Sequence, residues 1–328
     1  MSSLAGPTTA TAQFDQTGFV RRIDRWLHAM PHPSVAVEIA AGHVAAARAN
    51  GRGHLDDVAA QSLPGGAVMP SAVEVNVTQP ETVRSALRHV LNRVPDRGAP
   101  VALLIPDPVV RVFILPFDTL PRRSSEALPL LRWRLKKSVP FDVEETVVSW
   151  TRQAGRDGNL EVVAAVARRQ IVREYEEIVE FLGAHAGVVV SSTLAALSLL
   201  EGRAATLLAR LCGKTLTTAI IRGMNLCVYR STEMAADIGA LEPQAVLDEI
   251  FPAVAYFQDT WGASIESARL AGFGERQAIF GAALAGELNT TVGAMADAEG
   301  ARGLDGPARD LVRHGLDGLA GWASKRSS

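Results

Sequence analysis

Alternating and helical patterns of apolar residues divide this chain into a regular series of predicted elements. Apolar, alanine-rich runs at Val35–Ile39 and His43–Ala49, on either side of a glycine-containing turn, predict paired strands. Apolar residues at helical spacing predict helices over 80–92 and 170–182. With a further short strand before residue 63, the first part of the chain predicts a small sheet followed by a helix.

The second half of the sequence repeats this order. Three short apolar runs separated by Cys212-Gly213-Lys214 and Gly223-Met224-Asn225 predict three consecutive strands. They lie at 206–211, Thr215–Arg222 and 226–231. The helical pattern of Pro243–Trp261 then leads to an apolar strand at 265–270, a glycine turn and another helix. The sequence therefore predicts an α/β fold made of two topologically equivalent halves.

Residues 101–150 have their own order of elements. Apolar runs at Val101–Ile105 and 109–116 predict two strands, and a polar segment compatible with a helix follows. After Val139-Pro140-Phe141 and an acidic turn, a β-branched run predicts another strand. The block therefore predicts a strand, a second strand, a helix and a third strand, in that order.

Composition narrows the class of protein. The chain has 328 residues, 48% of them hydrophobic, and a chain of this length is expected to form about two folded domains. Its net charge of −2 provides no overall positive field that would bind nucleic acid. The two cysteines, Cys212 and Cys227, form no CxxC or Cys/His motif, which argues against a disulfide framework or a zinc site. No bilayer-spanning run or secretory signal is recognised. These features predict a cytoplasmic protein.

The N-terminal residues predict a tail and an amphipathic helix. Residues up to about Gln13 are rich in Ser, Thr, Ala and Gly and predict a flexible tail. Residues 14–30 carry an apolar stripe at helical spacing, interspersed with Arg21, Arg22 and Arg25. Two interpretations stay open: a helix docked on its own domain, or a helix that binds a membrane surface or a partner.

Other polar residues give no enzyme signature. The seven histidines show no metal-ligand spacing and no nucleophile elbow is present, so we predict no catalytic residue and no metal ligand. A basic strip follows the predicted helix of the inserted block. It consists of Arg132, Arg134, Lys136 and Lys137. The strip is either a solvated helix face or a docking surface for acidic residues or lipid headgroups.

The duplicated sheets, the glycine turns and the inserted block together resemble the actin-like ATPase fold, a duplicated ribonuclease H-like fold. The sequence pattern of the block, "LP…helix…VPF…EE", is similar to that of PilM-like cytoplasmic proteins of the type IV pilus, and more distantly to that of GspL of type II secretion. The resemblance covers about 34–300. It implies a tail and helix at 1–33, a first actin-like subdomain at 34–100 and 170–205, an inserted subdomain at 101–169 and a second actin-like subdomain at 206–328.

In this family, two phosphate turns and an adenosine-side glycine turn hold ATP, and acids beside them help to hold Mg²⁺. The first turn corresponds to Glu38-Ile39-Ala40-Ala41-Gly42, where the acid is kept but the glycine is displaced. The second corresponds to Arg210-Leu211-Cys212 before Gly213-Lys214-Thr215, where a cation replaces an acid. Arg210 and Lys214 are then either phosphate-attracting cations or exposed charges on an edge or turn.

The adenosine-side turn corresponds to Leu270-Ala271-Gly272-Phe273-Gly274. The resemblance thus implies a degenerate site that binds ATP or ADP with Mg²⁺ weakly or not at all. Its candidate contacts are Glu38, Gly42, Gly213, Lys214, Thr215, Gly272 and Gly274.

The resemblance implies a non-enzymatic scaffold at the inner-membrane platform of a type IV pilus. It would bind the N-terminal tail of a PilN-like membrane protein between the inserted and first actin-like subdomains. Other platform proteins would be further partners, and the protein would reach the membrane only indirectly, through its partners. Self-association is left open. The candidate partner-binding residues are Val112, Ile114, Leu115 and Trp133. The alternatives are an ATP-using ATPase or kinase of the same superfamily and a GspL-like secretion component; the replacement of an acid by Arg210 favours the scaffold.

Overall fold

The computed structural model describes residues 33–50, 54–94, 100–200, 202–302 and 304–324. The predictions for the tail and for the helix at 14–30 lie outside these residues. In chain order the strands are β1 (Val35–Ile39), β2 (His43–Ala49), β3 (Leu55–Ser62), β4 (Val101–Ile105), β5 (Arg111–Phe117), β6 (Thr146–Ala154), β7 (Leu160–Arg168), β8 (Ala186–Ser191), β9 (Ala205–Cys212), β10 (Thr215–Arg222), β11 (Asn225–Glu233), β12 (Ser267–Ala271) and β13 (Thr291–Ala294). The helices are α1 (Pro80–Arg93), α2 (Ser124–Leu135), α3 (Arg169–Glu180), α4 (Ser192–Ala196), α5 (Pro243–Trp261), α6 (Gln277–Leu288), α7 (Glu299–Arg302), α8 (Gly306–Arg313) and α9 (Asp317–Ser324).

The two larger sheets have the same topology. The first has the order β3-β2-β1-β4-β8 and the second the order β11-β10-β9-β12-β13. In each, three antiparallel strands joined by short connections are followed by two strands that run parallel to the first. The predicted duplicated α/β architecture is confirmed.

A third, antiparallel sheet of order β5-β7-β6 forms the inserted subdomain. Helix α2 covers one face of this sheet with Ala127, Leu131 and Leu135, which pack in a cluster with the even-numbered residues of β7. The predicted order of strand, strand, helix and strand is confirmed by β4, β5, α2 and β6.

Two predicted subdomain boundaries are wrong in detail. Strand β4, which the sequence assigned to the inserted block, pairs with β1 and β8 of the first sheet, so the insertion begins after Ile105. Helix α9, assigned to the second actin-like subdomain, packs instead on α4 and β1 of the first half. In both cases the prediction assigned a segment to the subdomain of its neighbours in sequence. Long-range pairing and packing decide instead which sheet a segment joins.

Strand alternation directs two charged residues into the space between the halves. In β1, Val37 and Ile39 pack on the side of α1 and α3, whereas Ala36 packs towards the second half, and Glu38 shares that side because side chains alternate. In β9, Leu208 packs in the same central cluster, and Arg210 follows it on the same face. The core between the two sheets therefore contains a charged site.

Small residues let α9 approach α4 closely. A Cβ atom on Gly321 would lie 2.4 Å from the carbonyl oxygen of Ala195, and one on Gly318 would lie 2.9 Å from that of Ser192. The buried Trp322 donates its indole N–H to the carbonyl oxygen of Pro33, at 3.3 Å. The glycines thus fix the position of the α9 N-terminus, where Asp317 lies. None of the described helices is both long and apolar enough to span a bilayer.

We expect Gly321→Ala to lower the free energy of unfolding by about 1–3 kcal/mol, because the added methyl group overpacks the α4–α9 contact. Gly286→Ala is the matched control: this glycine lies in α6, and a Cβ atom added to it would have no neighbour within 4 Å, so the variant should be up to about 1 kcal/mol more stable. Urea unfolding followed by circular dichroism measures both. Equal effects of the two substitutions would contradict the close helix contact.

Candidate functional site

A buried charged cluster lies where the two halves meet. Four chain segments supply it: the end of β1 with Glu38, the turn after β4 with Asp107, the end of β9 with Arg210 and the first residue of α9 with Asp317. All four side chains are almost inaccessible, with 0–3% of their surface exposed. Buried charges are stable in proteins only when they are paired and hydrogen-bonded, so the contacts of this cluster determine its role.

Arg210 is the centre of the cluster, which we call the Arg210 cluster. Its Nε donates to Asp317 Oδ2 at 2.7 Å, and its Nη1 lies 3.5 Å from Asp107 Oδ2. Its Nη2 forms a longer ion pair with Glu38 Oε1, at 3.6 Å. One guanidinium group thus faces three carboxyl groups from three different segments.

Asp107 is held by a ring of donors. Ser191 Oγ donates to its Oδ1 at 2.8 Å, the backbone N–H of Thr193 at 3.0 Å and the hydroxyl of Tyr229 at 3.2 Å. Thr217 Oγ1 donates to Oδ2 at 2.9 Å. These bonds compensate the carboxyl group for its lost hydration. They come from both halves, so Asp107 also joins the two sheets.

The cluster has more acid than base. Glu38 Oε1 accepts a bond from Ser192 Oγ at 2.6 Å. Its Oε2, Asp317 Oδ1 and Arg210 Nη2 have no hydrogen-bond partner among the described residues. Burial raises the pKa of the Asp317 carboxyl, and the charge of Arg210 opposes that rise. Burial by itself would lower the pKa of Arg210, but the charges of Asp317, Asp107 and Glu38 hold it well above its usual value.

This structure corrects the two interpretations of Arg210. It is neither an exposed charge nor a cation directed at phosphate, because it is buried and its guanidinium group is bound to carboxylates. Lys214, in contrast, is exposed on the two-residue turn between β9 and β10. In that turn Gly213 has φ +58°, which accounts for the glycine by the turn conformation alone. Thr215 opens β10 opposite Cys212.

The residues present do not fit a magnesium–phosphate group at this place. The carboxyl group that would face a metal, Glu38, is directed at Arg210. The backbone N–H of Ala40 is used within its own turn, donating to the carbonyl oxygen of His43 at 2.9 Å, and Gly42 is exposed at the tip. Within the described chain, no group of three or more His, Cys, Asp and Glu side chains is arranged to hold a metal ion.

The predicted adenosine-side turn borders a cavity of about 960 Å³. Gly272 has φ +78°, and a Cβ atom there would lie 1.8 Å from the carbonyl oxygen of Leu211, so glycine is required by close packing. Gly274 has φ +51° and open space beside it. The opposite wall is a face of α6 with small residues, and Asp297, Arg313 and His314 contribute polar groups. The small residues are Ala278, Gly281, Ala282 and Ala285.

The four candidate partner-binding residues do not form one surface. Val112 and Ile114 of β5 are partly buried against the central core, while Leu115 packs on the opposite face of the same strand, in the cluster covered by α2. Trp133 lies on the outer side of α2 and is 73% exposed. Strand β5 is an edge strand, as the peptide-binding hypothesis requires.

Sequence reasoning missed most of the cluster. Asp107 lies in a Pro-Asp-Pro turn directly after the buried strand β4, and the carboxyl end of a parallel strand is a common place for functional side chains. Asp317 lies in a glycine- and alanine-rich segment without a clear helical period. The Ser191-Ser192-Thr193 run at the start of α4 was a further signal, because hydroxyls at a helix N-terminus often bind carboxyl groups or cap the helix.

Comparisons with known proteins identify the fold. No protein-family model matches the chain, and no curated protein does. The structure is similar to a chain of the solved PilM-PilN type IV pilus biogenesis complex, with a TM-score of 0.72 and 18% identity over 91% of this chain and 100% of that chain. The predicted actin-like fold and its resemblance to PilM are confirmed at the level of fold.

Two weaker likenesses accompany it. One is the cytoplasmic domain of EpsL, an inner membrane component of the type II secretion system of Vibrio cholerae, with a TM-score of 0.44 and 12% identity over 72% of this chain and 81% of that one. The other is a Bacteroides thetaiotaomicron protein with an actin-like ATPase fold, with a TM-score of 0.46 and 12% identity over 89% and 97% of the two chains.

We expect Arg210→Met to lower the free energy of unfolding by about 3–5 kcal/mol near neutral pH, since it leaves three buried carboxyl groups without their cation. Without the guanidinium group, the pKa of Asp317 rises further. A group whose folded-state pKa is raised stabilises the fold at low pH and loses that effect as the pH increases through its folded-state pKa. The loss should therefore be larger at about pH 8 than at about pH 5.

Denaturant unfolding at both pH values measures this effect. Lys214→Met is the control, because it removes an exposed cation four residues further along the chain and should change stability by less than about 0.5 kcal/mol. A small or pH-independent effect of Arg210→Met would show that the Arg210 cluster does not carry the predicted energy.

Proposed function

We propose that this protein is a non-hydrolysing actin-like scaffold of a type IV pilus inner-membrane platform, which binds the N-terminal tail of a PilN-like membrane protein. The observation that carries the non-enzymatic part is the Arg210 cluster. Phosphoryl transfer on this fold depends on a metal ion that neutralises phosphate charge and on a positioned nucleophile. Here the acid that would serve the metal already binds a protein cation, at 3.6 Å.

The type IV pilus assignment is supported by the fold of the PilM-PilN complex, which this chain matches over nearly all its length. The function itself is carried over as a proposal, because a fold supports many functions. The surface that would bind a tail has to be argued from this chain's own exposed residues.

A rigid loop before α1 presents apolar side chains at the boundary between the inserted subdomain and the first half. Met69 and Val75 are 59% and 61% exposed, and Val73 is 39% exposed. Apolar side chains that are exposed together on one short segment mark a contact surface more often than isolated ones do. We assign the tail-binding surface to this loop.

Buried polar contacts on the protein side of the loop hold it in place. Asn76 is fully buried, and its amide group donates to the carbonyl oxygens of Ser71 and Glu74 at 2.9 and 2.7 Å. Tyr175 of α3 donates to Asn76 Oδ1 at 2.9 Å, and burial raises the pKa of this phenol. Glu174 accepts from the backbone N–H of Asn76 at 2.7 Å. A loop fixed in this way loses little entropy on binding.

The inserted subdomain contacts the same loop. Arg168, the last residue of β7, donates to the carbonyl oxygen of Val73 at 2.8 Å. An extended tail lying on Val73 and Val75 would therefore touch both subdomains, which is the boundary predicted from the resemblance. Short extended peptides gain affinity from a few apolar anchors and register from backbone contacts.

We expect no ATP hydrolysis by the full chain in the presence of Mg²⁺, because the Arg210 cluster occupies the metal-binding acid. Phosphate release should equal that of a blank without protein, and ATP binding should be weak or absent. Release well above the blank that is abolished by Glu38→Ala would establish the enzyme alternative instead. Any nucleotide that binds should do so through Gly213, Lys214, Thr215, Gly272 and Gly274.

We expect Val73→Asp and Val75→Asp to weaken tail binding by at least about tenfold, because each places a charge on an apolar anchor. The probe is a synthetic peptide with the N-terminal sequence of a PilN-like membrane protein, and its binding is measured by fluorescence anisotropy. Tyr256→Asp, at an exposed aromatic residue of α5, is the control and should bind normally.

Three other results would change this assignment. Unchanged affinity in both loop variants together with lost affinity in Trp133→Ala would move the tail to the outer side of α2. Unchanged affinity in all variants would place the tail elsewhere on the chain. No binding by the wild-type protein would refute the scaffold proposal in this form.

A further inference from the structure

The outer face of α2 combines exposed apolar side chains with a dense group of cations. Trp133 is 73% exposed, more than any other large hydrophobic side chain of the described residues, and Leu130 is 44% exposed. The two are three residues apart, so they are neighbours on the same side of the helix. The opposite side, with Leu131 and Leu135 fully buried, packs on the sheet of the inserted subdomain.

Charge around this face differs from that of the rest of the chain. Residues 121–141 contain six basic residues and one acidic residue, a net charge of +5, whereas the whole chain carries −2. The remaining residues therefore carry −7 in sum. Asp118, Asp142, Glu144 and Glu145 border this segment, so its excess positive charge is confined to α2 and the residues at its two ends. Trp133, the most exposed tryptophan of the described residues, lies on this helix.

Several of these cations are available to an external partner. Arg122, Lys136 and Lys137 are exposed and form no ion pair with another described residue. Three others have protein partners: Arg132 pairs with Glu144 at 3.0 Å, Arg134 donates to a backbone carbonyl oxygen, and Arg123 lies 3.6 Å from Glu126. Glu126 is the single acid of the segment, at the N-terminal end of the helix, and it is already paired.

We propose that this face of α2 docks directly on an anionic membrane surface. Tryptophan is favoured at the boundary between headgroups and acyl chains, where its ring is buried and its N–H stays hydrated. Lysine and arginine side chains around it would reach the phosphate groups of anionic lipids. We call Leu130, Trp133 and the surrounding exposed cations the α2 membrane face.

The shape of the surface favours a membrane over an acidic protein. A protein partner usually receives an exposed tryptophan in a pocket and matches charges one by one. Here the tryptophan projects from a helix, and the exposed cations belong to long side chains on both sides of it along the chain. A flat, negatively charged and fluid surface satisfies such an arrangement without a matching pocket.

The combination of two weak signals also fits peripheral attachment. Two exposed apolar side chains alone bind membranes weakly, and so does a small basic patch, but together they give reversible attachment. This inference does not depend on tail binding, because it uses other residues and another ligand.

The test is co-sedimentation of the full-length protein with vesicles of phosphatidylcholine alone and with vesicles that also contain phosphatidylglycerol. We expect binding only to the anionic vesicles, and weaker binding as salt increases. A double variant Leu130→Ser/Trp133→Ser and a triple variant Arg122→Gln/Lys136→Gln/Lys137→Gln should each bind at least about tenfold more weakly. Both change exposed residues only, so circular dichroism should show native folding.

Matched controls separate the α2 membrane face from other surfaces. Arg88→Gln/Arg93→Gln removes two exposed cations from α1, and Tyr256→Ser removes an exposed aromatic ring from α5; both should bind like wild type. Vesicles with brominated acyl chains should quench tryptophan fluorescence in wild type, and the quenching should fall in Trp133→Phe. This difference isolates Trp133 from the other four tryptophans of the chain.

Several outcomes would overturn the proposal. They are no vesicle binding by wild type, equal binding to neutral and anionic vesicles, binding that both α2 variants retain, and quenching that is unchanged in Trp133→Phe. If wild type fails to bind vesicles but binds poly-glutamate in an α2-dependent manner, the face serves an acidic protein instead and the membrane proposal is wrong.

Discussion

The contact of one buried guanidinium group with three carboxyl groups is the constraint on which the rest of the structure depends. Arg210 reaches the end of β1, the turn after β4 and the first residue of α9, and Asp107 is bonded in turn to hydroxyls from both halves. A buried charge that loses its partner is costly, so each segment must reach its place for the others to be stable. The cluster therefore acts as a polar joint between the duplicated halves.

The Arg210 cluster fills the space where the two halves meet, whereas the cavity beside Gly272 is lined by residues between Leu270 and Gly315. Arg210 supplies a fixed positive charge among three buried carboxyl groups. The glycine turn at Gly272 and the small residues of α6 border that cavity, which has a volume of about 960 Å³.

Strand patterns allowed much of the fold to be predicted, because apolar alternation reports local structure directly. Alternation also placed Glu38 on the same side as Ala36, which is the side of the cluster. The partners of Arg210 could not be predicted in this way, since Asp317 and Asp107 are 107 and 103 residues distant along the chain. The sequence shows a cation near a turn, and only the packing of two sheets shows that it is buried.

The errors in subdomain boundaries have the same physical origin. Val101–Ile105 looks like the first strand of a local unit, yet its parallel pairing with β1 and β8 places it in the first sheet. Likewise, α9 follows the second half in sequence but packs on α4, because Gly318 and Gly321 permit a close contact there. Local patterns identify elements, whereas the partner of each element is decided by complementary surfaces elsewhere in the chain.

A polar chain of contacts links the two surfaces to which we assign binding. Arg132 of α2 pairs with Glu144, the adjacent Glu145 lies 3.8 Å from Arg168, and Arg168 holds the loop at Val73. The loop and the α2 membrane face are thus joined through one end of the inserted subdomain. If both contacts form at one membrane, the second becomes intramolecular, and its effective concentration rises without any additional interface. Two individually weak contacts in a fixed geometry can then hold a scaffold beside the membrane protein whose tail it binds.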